Sequence, residues 1–222
     1  VEFVLGDAFA LDLHGFDGVV SDPPYNRSTA TNCPVDGRLG EVEFSNATML
    51  ALADRATKDN AFLVVFANFA NGAELLVESK KTAWKWVTTQ VWDKRPTRSW
   101  VSWGRPLKCV EYVLFFLKGD RKLSFKDGTV KPGVRRKSFG GGLKAQGGKN
   151  TAKVSYGMYE EIIAIRPPRG KTRVHPTQKP DEWGRLLAQI VGPGRVLDPF
   201  CGSGALLAAF PDSVGVDLQV WS

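Results

Sequence analysis

Apolar positions in this chain gather into short runs separated by polar or glycine- and proline-rich stretches, and the runs alternate between two kinds of spacing. Phe16-Asp17-Gly18-Val19-Val20-Ser21 is a short apolar run ending in Asp22-Pro23-Pro24. It predicts a buried strand stopped by prolines that cannot continue a ladder. Asp22 is therefore expected at a strand's C-terminal end. From about Asn46 to Thr57, the residues Met49, Leu50, Leu52, Ala53 and Ala56 recur at helical spacing, and Ala61-Phe62-Leu63-Val64-Val65-Phe66 reads as the next buried strand. Strand, helix, strand predicts parallel pairing. Two further runs, Val87 to Trp92 and Glu111 to Leu117, read as neighbouring, partly antiparallel strands. After a long polar interval the pattern resumes with a helix from about Asp181 to Val191 and a strand at Arg195-Val196-Leu197. A glycine turn, a helix over Ala205 to Phe210 and a strand at Val214-Gly215-Val216-Asp217 complete it. The expectation is an α/β fold interrupted once, with no internal repeat.

Charge explains the interruption. The chain has 222 residues, enough for one full core with a smaller appended lobe, and a net charge of +7. Between Lys118 and Arg173 basic residues outnumber acidic ones by 11, so the remainder is net acidic. That interval also holds Phe139-Gly140-Gly141-Gly142-Leu143-Lys144-Ala145-Gln146-Gly147-Gly148-Lys149-Asn150, with too little apolar content to build core. One reading is a solvated insertion. The other is a surface that tracks phosphates, with Arg135, Arg136, Lys137, Lys144 and Lys149, joined by Lys94, meeting a nucleic acid and releasing its counterions. The three cysteines, Cys33, Cys109 and Cys201, include no CxxC pair, so neither a disulfide framework nor a metal site is expected. The opening residues lack a basic start with a long apolar run, and no stretch approaches membrane-spanning length. A cytoplasmic protein is expected.

Two short motifs carry the chemistry. Asp198-Pro199-Phe200-Cys201-Gly202-Ser203-Gly204 follows a predicted strand, where glycines let a ligand approach the backbone. A plain tight turn would also account for it. Asp217, ending the next strand, is placed to accept hydrogen bonds from ribose hydroxyls. No phosphate-loop run exists, so a nucleoside without a polyphosphate is favoured. At the other end, Asp22-Pro23-Pro24-Tyr25 joins a carboxylate, a rigid turn and a ring. An exocyclic amine on a base is a poor nucleophile because its lone pair is delocalised. Two acceptors, the Asp22 carboxylate and a backbone carbonyl of the proline turn, would localise it, and Tyr25 would supply a face for an unstacked base. A strand-ending turn over a buried tyrosine is the alternative.

Taken together, these runs resemble the catalytic and cofactor motifs of S-adenosylmethionine-dependent DNA amino-methyltransferases. His175-Pro176-Thr177-Gln178-Lys179-Pro180 resembles the family's cofactor-side motif in that position. With the carboxylate motif first and the glycine motif last, the order is similar to the circularly permuted β group. The resemblance implies a Rossmann-like class I methyltransferase sheet of order 3-2-1-4-5-7-6. The chain would start at strand three and end at strand two, so its ends would be neighbours. It divides the chain into a catalytic half (1–117), a basic target-recognition insertion (118–173) and a cofactor half (174–222). It implies S-adenosylmethionine as cofactor and double-stranded DNA as partner, with a homodimer possible. Asp22, Pro23, Pro24 and Tyr25 would be catalytic. Asp7 and Ala8 of Gly6-Asp7-Ala8 would lie at the cofactor adenine and Asp217 at its ribose, with Phe200, Gly202 and Gly204 on the methionine side. Thr177 and Lys179 would be nearby, and Asp22 and Asp198 would complete the cofactor set. The runs Trp92-Asp93-Lys94 and Glu111-Tyr112-Val113-Leu114 resemble the strand pair flanking the target-base pocket, although Trp92 reads equally as core. An aspartate heading the first motif implies adenine N6. Cytosine N4, RNA or protein as the substrate, and an inactive module that binds nucleic acid on the same fold, are the competing readings.

Overall fold

The computed structural model describes residues 1–24, 45–94, 110–124, 162–168 and 178–219. Eight strands form one sheet: β1 (Glu2–Leu5), β2 (Phe16–Ser21), β3 (Thr57–Ala67), β4 (Lys85–Asp93), β5 (Val110–Lys118), β6 (Ile162–Ala164), β7 (Val196–Asp198) and β8 (Ser213–Asp217). Three helices pack on it: α1 (Asn46–Ala56), α2 (Phe69–Ser79) and α3 (Asp181–Val191). The spatial order is β1-β8-β7-β2-β3-β5-β4-β6. The first seven strands reproduce the order 3-2-1-4-5-7-6 under permutation. β1 and β8 pair in parallel with Leu5 opposite Asp217, so strands three and two of that order are neighbours. β5 runs antiparallel between β3 and β4.

The central strands are buried on both faces, as a sheet covered by helices on two sides requires. On β3, Ala61, Leu63, Val65 and Ala67 belong to one core cluster, and Phe62, Val64 and Phe66 to the other. Helices α1 and α2 share the first cluster through Met49, Leu50, Leu52, Ala53 and Leu75. Helix α3 contributes Trp183, Leu186, Leu187 and Ile190 to the second. Gly18 is required where β2 runs beside β3, because a Cβ there would meet the Phe62 ring of the facing residue at 2.4 Å.

Helix starts follow local chemistry. Ser45 and Thr48 form a capping box ahead of α1. Asn68 accepts from the Asn71 N–H ahead of α2 at 2.9 Å. Helix α3 begins after Pro180, with Asp181 and Glu182 favourably placed in its first turn.

Three elements differ from the expected pattern. The helix predicted over Ala205 to Phe210 is instead a series of tight turns, in which the Leu207 N–H reaches the Gly204 carbonyl and the Phe210 N–H the Leu207 carbonyl. Six residues between Gly204 and Pro211 are too few to repay helix nucleation. Helix α2 is absent from the pattern because only Asn71, Gly72, Leu75 and Ser79 are buried along it, leaving a thin apolar stripe. β6, from within the basic interval, adds a three-residue edge strand parallel to β4.

Candidate active site

The C-terminal ends of β7, β2 and β3 lie side by side, and the two motifs meet there. β2 pairs with β3 through Ser21 opposite Val65, and with β7 through Val19 opposite Leu197. Asp22 and Asp198 thus end neighbouring strands. The Ser21 hydroxyl ties the two by donating to Asp198 Oδ1 at 3.2 Å.

Asp198 is 1% exposed. Burial, reinforced by Asp22 and Asp217, pushes its carboxyl up to about 7 against the hydrogen bonds from the Phe200 N–H and Ser21. After it, the chain turns through Gly202 (φ 50°) and Gly204 (φ 73°), left-handed values that favour glycine. At Gly204 a Cβ would also strike the Phe3 ring at 2.6 Å. Asp217, at the end of β8, closes this turn. Its Oδ2 accepts from the Gly202 N–H at 2.8 Å, and its Oδ1 from the Gln219 N–H at 3.0 Å.

The turn following β1 approaches from the far side. Asp7 Oδ1 accepts from the Phe9 N–H at 2.9 Å, and Ala8 is buried. The Phe9 ring meets Phe200 of the glycine turn at 5.9 Å. Arg55, from the last turn of α1, donates through Nη2 to the carbonyls of Ala8, Phe9 and Leu11 at 3.0, 2.9 and 3.3 Å. The sequence offered no sign of this clasp, because an arginine in a helix's last turn reads as an ordinary solvated charge.

Lys179 lies on the opposite side of Asp22. Its side chain is 6% exposed, and Nζ contacts the Asp22 carboxylate and, at 3.3 Å, Glu111 Oε2. It also sits 5.3 Å from the Phe66 ring centroid and 5.6 Å from that of Trp92. Burial alone would lower its pKa. Asp22 and Glu111 outweigh burial and raise it, so the ammonium stays charged. Glu111 has the mirror-image balance: burial opposes its ionisation, and Lys179 and Lys94 hold it below the usual carboxylate range. Lys94 closes the series, 2.6 Å from Glu111 Oε1. Charges therefore alternate from Asp22 through Lys179 and Glu111 to Lys94. Glu111 heads a run that resembles a strand flanking the target-base pocket, but its pairing with Lys179 and Lys94 is revealed only by the fold.

Of the residues singled out by sequence, the structure brings Asp22, Pro23, Pro24, Lys179, Asp198, Phe200, Gly202, Gly204 and Asp217 to one edge of the sheet, with Asp7 and Ala8 on the adjoining turn. Lys179 has its ammonium on Asp22, and Lys94 is committed to Glu111 rather than projecting toward solvent. Trp92 is core, 2% exposed, with its indole N–H donating to the Ile165 carbonyl. Tyr25, Thr177, Arg135, Arg136, Lys137, Lys144 and Lys149 lie outside the described residues.

Asp22, Asp198 and Asp217 interact electrostatically around one glycine turn. Such a cluster of carboxylates suits a nucleoside carrying positive charge. S-adenosylmethionine, a sulfonium with an ammonium group, fits that donor set. Sheet and site together define a class I methyltransferase of permuted order. Residues 16–212 match the N6_N4_Mtase family, described as DNA methylase, and the chain belongs to that family of S-adenosylmethionine-dependent DNA amino-methyltransferases.

Solved structures agree on the fold. The crystal structure of M1.HpyAVI aligns over 99% of this chain and 92% of its own, with 16% identity and a TM-score of 0.66. The M1.HpyAVI–SAM complex aligns over 99% and 94%, at 19% identity and a TM-score of 0.64. PvuII DNA methyltransferase, described as cytosine-N4-specific, aligns over 98% and 81%, at 13% identity and a TM-score of 0.65. No curated protein sequence matches the chain.

Proposed function

We propose that this DNA methylase transfers its methyl group to adenine N6 of a base turned out of the duplex, with Asp22 as the residue that meets the amine. The observation that carries this reading is the placement of Asp22 at the end of β2, beside Asp198 and the glycine turn, with its carboxylate held by the buried Lys179. S-adenosylmethionine supplies an electrophilic methyl group when bound. Gly202 and Gly204 would admit the cofactor close to the backbone, Asp217 would accept from its ribose hydroxyls, and the turn at Asp7 and Ala8 would lie at its adenine.

Asp22 and the proline-turn carbonyl accept the two amine hydrogens, which favours the pyramidal nitrogen that develops during attack. The nitrogen would take the methyl as its carbon–sulfur bond breaks to leave a neutral thioether, and, then strongly acidic, would lose a proton to Asp22 or to water, so a strong base is unnecessary. Lys179 acts as a positioning residue by fixing the carboxylate that the amine must reach. Adenine rather than cytosine rests on the aspartate heading Asp22-Pro23-Pro24-Tyr25, where serine is usual for cytosine N4. The likeness to PvuII methyltransferase supports the other base no less on fold grounds. Digestion of DNA from cells expressing the protein, followed by mass spectrometry of the nucleosides, separates the two. N6-methyladenine is expected; N4-methylcytosine in its place overturns the adenine assignment. No described helix is long and apolar enough to cross a membrane. A bacterial cytoplasm, where DNA and cofactor meet, suits this reading.

A further inference from the structure

Phe69 opens α2 directly after β3, at the edge of the sheet that carries Asp22, and it is 73% exposed. It is the most exposed of the large apolar side chains among the described residues. Its ring lies 6.0 Å from that of Tyr112, at an interplanar angle of 60°. Tyr112 is half-buried and packs against the core shared with α1 and α2. The register places Tyr112 opposite Ala67, so the pair stands at the end of β3. Asp22 follows Ser21, which is opposite Val65, and so the pair and the catalytic carboxylate share one rim.

The two lie on different faces of that rim. Lys179 and the Phe66 ring beneath it belong to the α3 side, whereas Tyr112 belongs to the α1 and α2 side. A single exposed ring is ordinary on a protein surface, but this one stands on the rim that carries Asp22 and is backed by a second ring, which leaves one face open to a flat partner. The substrate class supplies such a partner, because every base has a π-face and a base beside a flipped-out neighbour is left unstacked on one side.

We infer that Phe69, backed by Tyr112, is a stacking platform for an unstacked base next to the target base. The inference rests on DNA being the substrate, but not on which base is methylated. Its recognition is apolar, so it adds affinity without adding ionic contacts.

The test compares Phe69→Ala and Phe69→Trp with the wild-type protein. Binding is measured by fluorescence anisotropy on a short mixed-sequence single strand and on the same sequence as a blunt duplex, across a range of salt. Phe69→Ala is expected to weaken single-strand binding by about tenfold, the scale of removing one base–aromatic stack. Duplex binding should fall less, the salt slope should be unchanged, and Phe69→Trp should bind as wild type with its added indole fluorescence quenched. S-adenosylmethionine affinity and thermal stability should be unaltered, since the side chain is largely in solvent. Single-strand affinity of Phe69→Ala within twofold of wild type overturns the inference, as does a reduced salt slope. Failure of the wild-type protein to transfer methyl groups to DNA would count against the proposed reaction, and normal stacking in the same preparation would leave the platform standing.

Discussion

Lys179 is the buried cation that holds the Asp22 carboxylate, the group proposed to meet the target amine. It has two acidic partners, two aromatic faces and almost no solvent. Replacing it by methionine keeps the volume and leaves Asp22 and Glu111 without their shared cation. That change is expected to cost about 3 kcal/mol of stability, measured by urea unfolding, the scale for breaking a buried pair. Glu111 should then titrate higher, and methyl transfer should slow more than cofactor binding weakens. Asp198 makes a separate prediction. Its folded carboxyl is raised from 3.8 to about 7, so its stabilising effect is complete below the unfolded value and is lost as pH rises through about 7. Asp198→Asn removes that dependence. Urea midpoints for the wild type should fall relative to those of the variant between pH 5 and pH 8. A constant difference across that range would contradict the raised carboxyl.

Among the elements, the strands were legible because each central one is a continuous apolar run bounded by proline, glycine or charge. Ser21-Asp22-Pro23-Pro24 showed both where β2 stops and which side chain the stop presents. The short segment from Ala205 to Phe210 was not legible, because its alanines and leucines fit a helix and only its length between Gly204 and Pro211 forbids one. Helix α2 was not expected, its exposed Phe69 and Val77 blurring the buried face, and β6 is three residues inside a charged interval. The Arg55 clasp depends on α1 packing beside the turn after β1, a pairing across more than forty residues that no local pattern announces. Arg55→Ala should loosen the turn holding Asp7 and Ala8. S-adenosylmethionine affinity is expected to fall about tenfold, the lower end of the scale of one charged hydrogen bond, with kcat within twofold of wild type. Arg55→Lys should recover part of that affinity. Equal reductions in affinity and kcat would mean that Arg55 supports the fold in general.

At the scale of the molecule, the reversed order of two motifs, through its resemblance to the permuted group, implied a permuted sheet, and the sheet shows it in the pairing of β1 with β8. Motif order carried this information because it dictates which strands are neighbours. The site was legible only in part. Asp22, Asp198 and Asp217 stand in recognisable motifs and Glu111 in a run that resembles a pocket-flanking strand, whereas Phe69 reaches the same edge through α2 without any motif. The concentration of positive charge between Lys118 and Arg173 is proposed to hold DNA through its phosphates. Changing Arg135, Arg136 and Lys137 together to glutamine should weaken DNA binding and reduce its salt slope by about three, close to one unit for each phosphate no longer neutralised. An unaltered slope would return this interval to a solvated insertion.

The most direct measurement of the central claim is transfer of tritiated methyl groups from S-adenosylmethionine to DNA by Asp22→Ala, with cofactor affinity determined by calorimetry on the same preparation. The predicted result is abolished transfer with cofactor affinity within a few-fold of wild type. Transfer close to the wild-type rate would contradict the assignment of Asp22 to the target amine.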